Sequence, residues 1–293
     1  MHSSKMTPPM IGKTRQADTP SASSQTLTVL AGVGPPRGVL RSAPGAGQFR
    51  HERHAPAAAL VDLVEHYWMV AWDLRGEPPQ RRETLPHPSV HLLIEHGETR
   101  IAGVASARFS RLLEGAGWVF GIKFKPAGFR PFFAKPLSAL TDRSCRLDDV
   151  FGADAVLFEQ RIVALAPMLD RVKAANDFLL ARLPAHDPEV ARVNAIVHGI
   201  VDDRGMSSVA ALASRHRIGK RNLQRLFSDY VGVSPKWVIM RYRLHEALEQ
   251  LAAGRPADWP ALALSLGYFD QAHFIRDFKR MVGRAPSDYV RDA

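Results

Sequence analysis

Leu223-Gln224-Arg225-Leu226-Phe227-Ser228-Asp229-Tyr230-Val231-Gly232-Val233-Ser234-Pro235 returns 51 positions later as Phe274-Ile275-Arg276-Asp277-Phe278-Lys279-Arg280-Met281-Val282-Gly283-Arg284-Ala285-Pro286. Arg225 falls on Arg276, Phe227 on Phe278, Val231 on Val282, Gly232 on Gly283 and Pro235 on Pro286, while Leu223 meets Phe274 as an apolar match. A helix, a glycine stop and a proline restart therefore occur twice, and internal repetition is the first guide to architecture.

Each copy reads as a helix-turn-helix, the first over about 208–231 and the second over about 259–282. In the first, Ser208 is placed to cap a short helix, Val209 to Arg215, and a turn at His216 to Gly219 leads into a helix from Lys220 to Val231. That second helix carries an apolar stripe of Leu223, Leu226, Phe227 and Tyr230 and an opposite stripe of Arg221, Gln224, Arg225 and Ser228. Gly232 supplies the left-handed stop, and Ser234-Pro235 opens the next helix. In the second copy Asp258 caps a helix across Trp259 to Leu266, Gly267 turns the chain, and Asp270 caps a helix that buries Phe274, Phe278 and Met281. Gln271, Ala272, Ile275, Arg276 and Lys279 lie around its outer side.

One long helix, Pro235 to Ala253, joins the copies, with Trp237, Met240, Leu244, Ala247, Leu248 and Leu251 on its buried side. At about 1.5 Å per residue it spans roughly 30 Å. One turn of duplex DNA is about 34 Å, so both second helices can enter successive major grooves on one face.

The run Gly267-Tyr268-Phe269-Asp270-Gln271-Ala272-His273-Phe274, continued by Phe278-Lys279, Gly283, Pro286 and Tyr289, closely resembles the signature of the AraC/XylS family of transcription regulators, as does Leu223-Gln224-Arg225-Leu226-Phe227. The resemblance covers about a third of the chain. It implies a DNA-binding domain over 188–293 that reads double-stranded DNA with two recognition helices. The sequence departs from the family at Arg217, where the first turn usually has glycine, and at Gly219, where the recognition helix usually has a serine cap. A non-glycine residue at positive φ is strained, so the first turn is expected to differ in shape from the second.

The 293 residues suggest two domains. No run of about 18 apolar residues marks a membrane span, the N-terminus lacks a signal-peptide core, and the single cysteine, Cys145, fits a reducing cytoplasm. The formal net charge of +10 points to a polyanion, and its distribution says where. Residues 1–55 carry +5, residues 56–187 are neutral with 16 charges of each sign, and residues 188–293 carry +5. Residues 1–35, rich in Pro, Ser, Thr, Gly and Ala, read as a disordered tail. Met6 and Met10 are alternative starts within it.

Residues 36–184 read as a mixed α/β domain, strands first and helices last, so the fold class is α/β followed by an all-α domain. Val64 to Leu74 reads as a strand or as a helix passing into one, Val90 to Ile94 and Ile101 to Val104 as short strands, and Trp118 to Lys125 as a strand with Trp118, Phe120, Ile122 and Phe124 on one face. Ala153 to Leu165 and Pro167 to Leu183 read as helices, Pro184 to Pro188 as the linker, and Val190, Val193, Ile196, Val197 and Ile200 mark the helix that opens the second domain. His66-Tyr67-Trp68, Leu85-Pro86-His87-Pro88 and Gly121-Ile122-Lys123-Phe124-Lys125-Pro126 resemble N-terminal domains of one AraC subgroup. Such domains bind a small effector or mediate dimerisation, and the resemblance implies no particular effector.

The candidate DNA-binding residues are Arg221, Gln224, Arg225, Gln271, Ala272, His273, Ile275, Arg276 and Lys279. Arginine forks onto guanine and glutamine pairs with adenine, whereas Ala272 and Ile275 suit a thymine methyl, and His273 and Lys279 suit phosphate. The bland alternative is a solvated helix face, which repetition inside two helix-turn-helix motifs disfavours. His87, His91 and Glu95, spaced at four, could ligate a metal, but Pro86 and Pro88 argue against a helix and structural histidines are the simpler reading. Lys123 and Lys125 could face an anionic effector, with a solvated strand face as the plainer reading. Arg143 and Arg146 would lower the Cys145 thiol pKa if close, although a lone cysteine is more often a small buried residue. Tyr67, Trp68, Trp72, Trp118, Phe120 and Phe124 line either a pocket or ordinary core.

The expectation is a cytoplasmic, non-enzymatic transcription regulator with no catalytic residue, cofactor or metal. Its expected partners are double-stranded DNA, a small-molecule effector, a second copy as a homodimer, and RNA polymerase. Two alternatives stand beside it: a small-molecule enzyme domain, with or without a metal, fused to a DNA reader, and an architectural DNA-binding protein that senses nothing.

Overall fold

The computed structural model describes residues 25–29, 47–252 and 258–291. Among the described residues nine strands come first: β1 Gln25–Val29, β2 Gln48–His54, β3 Val64–Asp73, β4 Gln80–Thr84, β5 His91–Glu95, β6 Glu98–Ala102, β7 Phe109–Leu113, β8 Ala116–Phe124 and β9 Ser144–Cys145. Ten helices follow: α1 Asp148–Phe151, α2 Asp154–Ala164, α3 Met168–Leu180, α4 Pro188–Asp202, α5 Val209–Arg215, α6 Lys220–Tyr230, α7 Pro235–Ala252, α8 Trp259–Ser265, α9 Gln271–Val282 and α10 Pro286–Arg291. The expected order, strands first and helices last with an all-α second domain, is what the chain adopts.

Seven strands form one sheet in the order β1-β2-β3-β8-β5-β6-β9, and β4 pairs with β7 in a separate ribbon. The central strands β3 and β8 are antiparallel, with Trp68 opposite Gly121 and Trp72 opposite Gly117. A β-carbon at either glycine would collide with the facing indole, so the bare backbone is what lets each tryptophan lie across the sheet. Tyr67, Leu92, Ile94, Phe120, Ile122 and Phe124 form the buried centre.

The strand β1 lies within 1–35, the stretch expected to be tail. Thr26, Leu27, Thr28 and Val29 are good strand formers, and they pair in parallel with β2. The rest of that stretch, Met6 and Met10 included, lies outside the described residues. The segment from Val64 is strand throughout. Lys123 does not lie on a solvated strand face. It is 8% exposed, and its Nζ donates to Glu65 Oε1 at 2.9 Å. Burial disfavours charge on Lys123 and lowers its pKa against the pull of Glu65. The Glu65 side chain stays 40% exposed; its partial loss of solvent opposes ionisation, but Lys123 and His66 outweigh this and hold the carboxyl well below its ordinary range.

The aromatic set is mostly core. Tyr67 Oη donates to Asn176 Oδ1 (2.8 Å), and the half-buried Trp118 carries the Arg171 guanidinium 3.8 Å above its ring. Glu95 is taken by Arg100 and Arg111, His91 meets the edge of Trp68, and among the described residues no three His, Cys, Asp or Glu side chains gather as metal ligands. The Cys145 thiol pKa is raised, by burial and then by Asp149. The lowering that close arginines would bring is absent, and Arg146 turns to Asp148 instead.

The two domains pack on each other. Asn194 of α4 accepts from Ala127 N–H and donates to the Asp62 carbonyl (3.0 and 3.1 Å). Trp237 Nε1 of α7 donates to the Ser106 carbonyl (3.0 Å). Arg241, 1% exposed, donates to the Pro86 carbonyl (2.8 Å) and to His87 Nδ1 (3.2 Å). The helix α7 is thus buried nearly all round at its start. The run Trp237-Val238-Ile239-Met240, apolar on every face, carried that signal.

Candidate nucleic-acid interface

The two helix-turn-helix units are built by the same local chemistry. Ser208 Oγ accepts from Ala211 N–H to start α5, and Asp258 Oδ1 accepts from Ala261 N–H to start α8. The turns also agree. Arg217 sits at φ 50 and Gly267 at φ 79. Arg217 N–H donates to the Ser214 carbonyl and Ile218 N–H to that of Ala213 (3.1 and 3.0 Å), just as Gly267 and Tyr268 bond Leu264 and Ala263 (2.9 and 3.0 Å). The difference expected at the left-handed position is therefore not found. Arg217 takes the left-handed conformation itself, because both hydrogen bonds require it.

The recognition helices differ at their starts. Asp270 Oδ1 caps α9 through His273 N–H (2.7 Å), whereas Gly219 gives α6 no side-chain cap. The second turn also holds one residue more, and Phe269 stands there 90% exposed.

Leu223 and Phe227 anchor α6 in the core, and Phe274, Phe278 and Met281 anchor α9. Anchoring by those residues turns the opposite faces outward. Arg221, Gln224 and Arg225 on α6 are exposed, as are Ala272, Arg276 and Lys279 on α9. Gln271 and Ile275 are half-buried at the edge of the same face. His273 is set apart: its ring meets Tyr268 edge-on, its Nε2 lies 3.7 Å from Asp277, and it lines a groove of about 310 Å³ with Lys236, Trp237 and Arg280.

The rod between the units, α7, has 18 residues and spans about 27 Å. Arg243 locks it to α4. Wholly buried, it donates to the carbonyls of Ile200 and Asp203 (2.7 and 3.0 Å) and to that of Arg204, at and just beyond the end of α4. Sequence periodicity missed Arg241 and Arg243, since charged residues read as solvent-facing.

Residues 212–292 match a family described as a helix-turn-helix domain. A protein of Streptomyces antibioticus named as an AraC-like transcription regulator is 33% identical over 121 residues, 41% of this chain and 38% of that one. Residues 212–292 thus form a helix-turn-helix domain of the AraC type. A regulator of Escherichia coli, YidL, described as an uncharacterized HTH-type transcriptional regulator, is 31% identical over 109 residues, 36% of this chain and 34% of that one. A solved structure, a probable AraC family regulator from Rhodopseudomonas palustris, is 29% identical over 33% of this chain and 93% of its own, with a TM-score of 0.31. The chain thus spans about two-fifths of the length of the curated relatives it matches. Residues 52–146, most of the sheet, match a domain of unknown function (DUF6597). No helix among the described residues is long and apolar enough to cross a membrane.

Proposed function

We propose that the AraC-type domain reads two half-sites of duplex DNA in adjacent major grooves and that the whole chain is a sequence-specific transcription regulator. The observation that supports this reading is the pair of outward-facing stripes: Arg221, Gln224 and Arg225 on α6, and Ala272, Arg276 and Lys279 with Gln271 and Ile275 on α9. Arg225 and Arg276 take base edges, Gln224 and Gln271 pair with adenine, and Ala272 and Ile275 meet thymine methyls. Lys279 and His273 take phosphate, Lys279 as the exposed member of the two.

The N-terminal domain modulates this binding. Its contacts to α4, α6 and α7 give an effector or a second copy of the chain a route to bias the DNA-binding arrangement. The basic domain, and the reducing environment that a lone cysteine suits, support a cytoplasmic reading with RNA polymerase as the target of regulation. No catalytic step is assigned to either half. Enrichment of a random duplex library by the full-length protein tests the reading. Two half-sites about 10–10.5 bp apart are expected, and a pool without sequence preference overturns it.

A further inference from the structure

The two glycine stops that the repeat superimposes, Gly232 and Gly283, are both touched by the N-terminal domain. Thr141 Oγ1 donates to the Gly232 carbonyl at 2.5 Å. A β-carbon at Gly232 would lie 3.0 Å from the Leu137 carbonyl oxygen and 3.1 Å from Thr141 Oγ1. At Gly283 it would overlap the guanidinium of Arg108. These contacts reach α6 and α9 at the ends away from their first turns, one arm to each recognition helix.

The two arms are stapled together. Ser106 N–H donates to Asp142 Oδ1 at 2.6 Å. Asp142 N–H donates to the Val104 carbonyl (2.9 Å), and Gly103 N–H to that of Arg143 (3.0 Å). Asp142 holds φ 58, a left-handed conformation that is uncommon for any residue but glycine. Between the arms, Ser106 takes the Trp237 indole N–H at the start of the rod. One clasp, residues 103–108 and 137–143, therefore holds the first unit, the rod and the second unit.

We infer that this clasp sets the separation of the two recognition helices, with Thr141, Asp142 and Arg108 as positioning residues that touch no DNA. The inference rests on the two-half-site reading above. A mere structural brace would alter stability alone, whereas a positioning clasp alters tolerance to half-site spacing.

Full-length protein enriches a random duplex library, and the selected site is rebuilt with one base pair added or removed between its halves. The native chain is expected to lose roughly tenfold in affinity on either change, the scale of a mismatched contact. Thr141→Val, Asp142→Ala and Arg108→Leu are expected to lose about twofold or less on the same scale, with affinity for a single half-site unchanged. Thr141→Ser is expected to restore the native penalty. Because Thr141 and Arg108 lie on different arms, either variant that retains single-half-site binding decides the matter. An unchanged spacing penalty in such a variant overturns the clasp while leaving DNA reading intact. A selected site with one half only also overturns it, and failure to enrich any sequence overturns the reading beneath it as well.

Discussion

At the residue scale, the outward arginines carry the heaviest demand. Arg225 and Arg276 occupy equivalent places in the repeat, and both are exposed. Replacing either by alanine is expected to weaken specific binding by about 1–3 kcal/mol and to relax preference at one base position. Unchanged affinity of both variants in a gel-shift titration would sink the assignment. Lys279→Ala is expected to weaken all sequences alike and to reduce the salt slope by about 1, seen by titrating at several salt concentrations. Arg217 makes a different point. Its left-handed backbone repeats that of Gly267, so Arg217→Gly is expected to raise stability by up to about 1 kcal/mol, relief of strain exceeding the entropy glycine adds to the unfolded chain. A lower thermal midpoint would contradict this.

At the element scale, caps and stops were legible because each is a local bargain between one side chain and one backbone group. Ser208, Asp258 and Asp270 cap the helices expected of them, and Ser234 caps α7 in the same way. Polar strands were not legible. Strand β4, Gln80–Thr84, has no apolar alternation, and its pairing with β7 comes from a partner nearly thirty residues away. The rod α7 was half legible. Its stripe of Trp237, Met240, Leu244, Ala247, Leu248 and Leu251 is buried as expected, but Arg243 is buried too. Its guanidinium satisfies the Ile200 carbonyl in the last turn of α4 and adds a donor to the Asp203 carbonyl just beyond it. Arg243→Met is expected to destabilise the fold by up to about 3 kcal/mol, because the buried Ile200 carbonyl loses its guanidinium donor. Chemical denaturation measures it, and a loss below about 1 kcal/mol, the net worth of one ordinary hydrogen bond, would show that this carbonyl finds another donor.

At the scale of the whole molecule, the sheet ties stability to pH. Burial first, then Arg53 and His66, lower His51 to about 4 from its ordinary 6.5. Burial, Lys123 and His66 lower His91 to about 3. Both rings are neutral in the fold and bind protons more readily when unfolded. The stability they contribute is complete above pH 6.5 and is lost as pH falls through those lowered values. Glu65, also lowered, acts in the same direction. Thermal midpoints are expected to fall between pH 6.5 and 4, and less steeply in His51→Gln with His91→Gln. Equal slopes would rule the two rings out as the source.

The duplicated reader was determined by sequence alone. Helix periodicity, hydroxyl and carboxylate caps and glycine stops act over a few residues, and repetition at a fixed interval prints the same local chemistry twice. Only tertiary structure decided that Arg241 and Arg243 go inward, that Lys123 is buried beside Glu65, and that Thr141 and Arg108 reach two glycines 51 positions apart. Each of these depends on a partner distant in the chain that meets a charge or a carbonyl otherwise left without one. No local pattern encodes such a meeting, since it exists only once distant parts of the chain have packed.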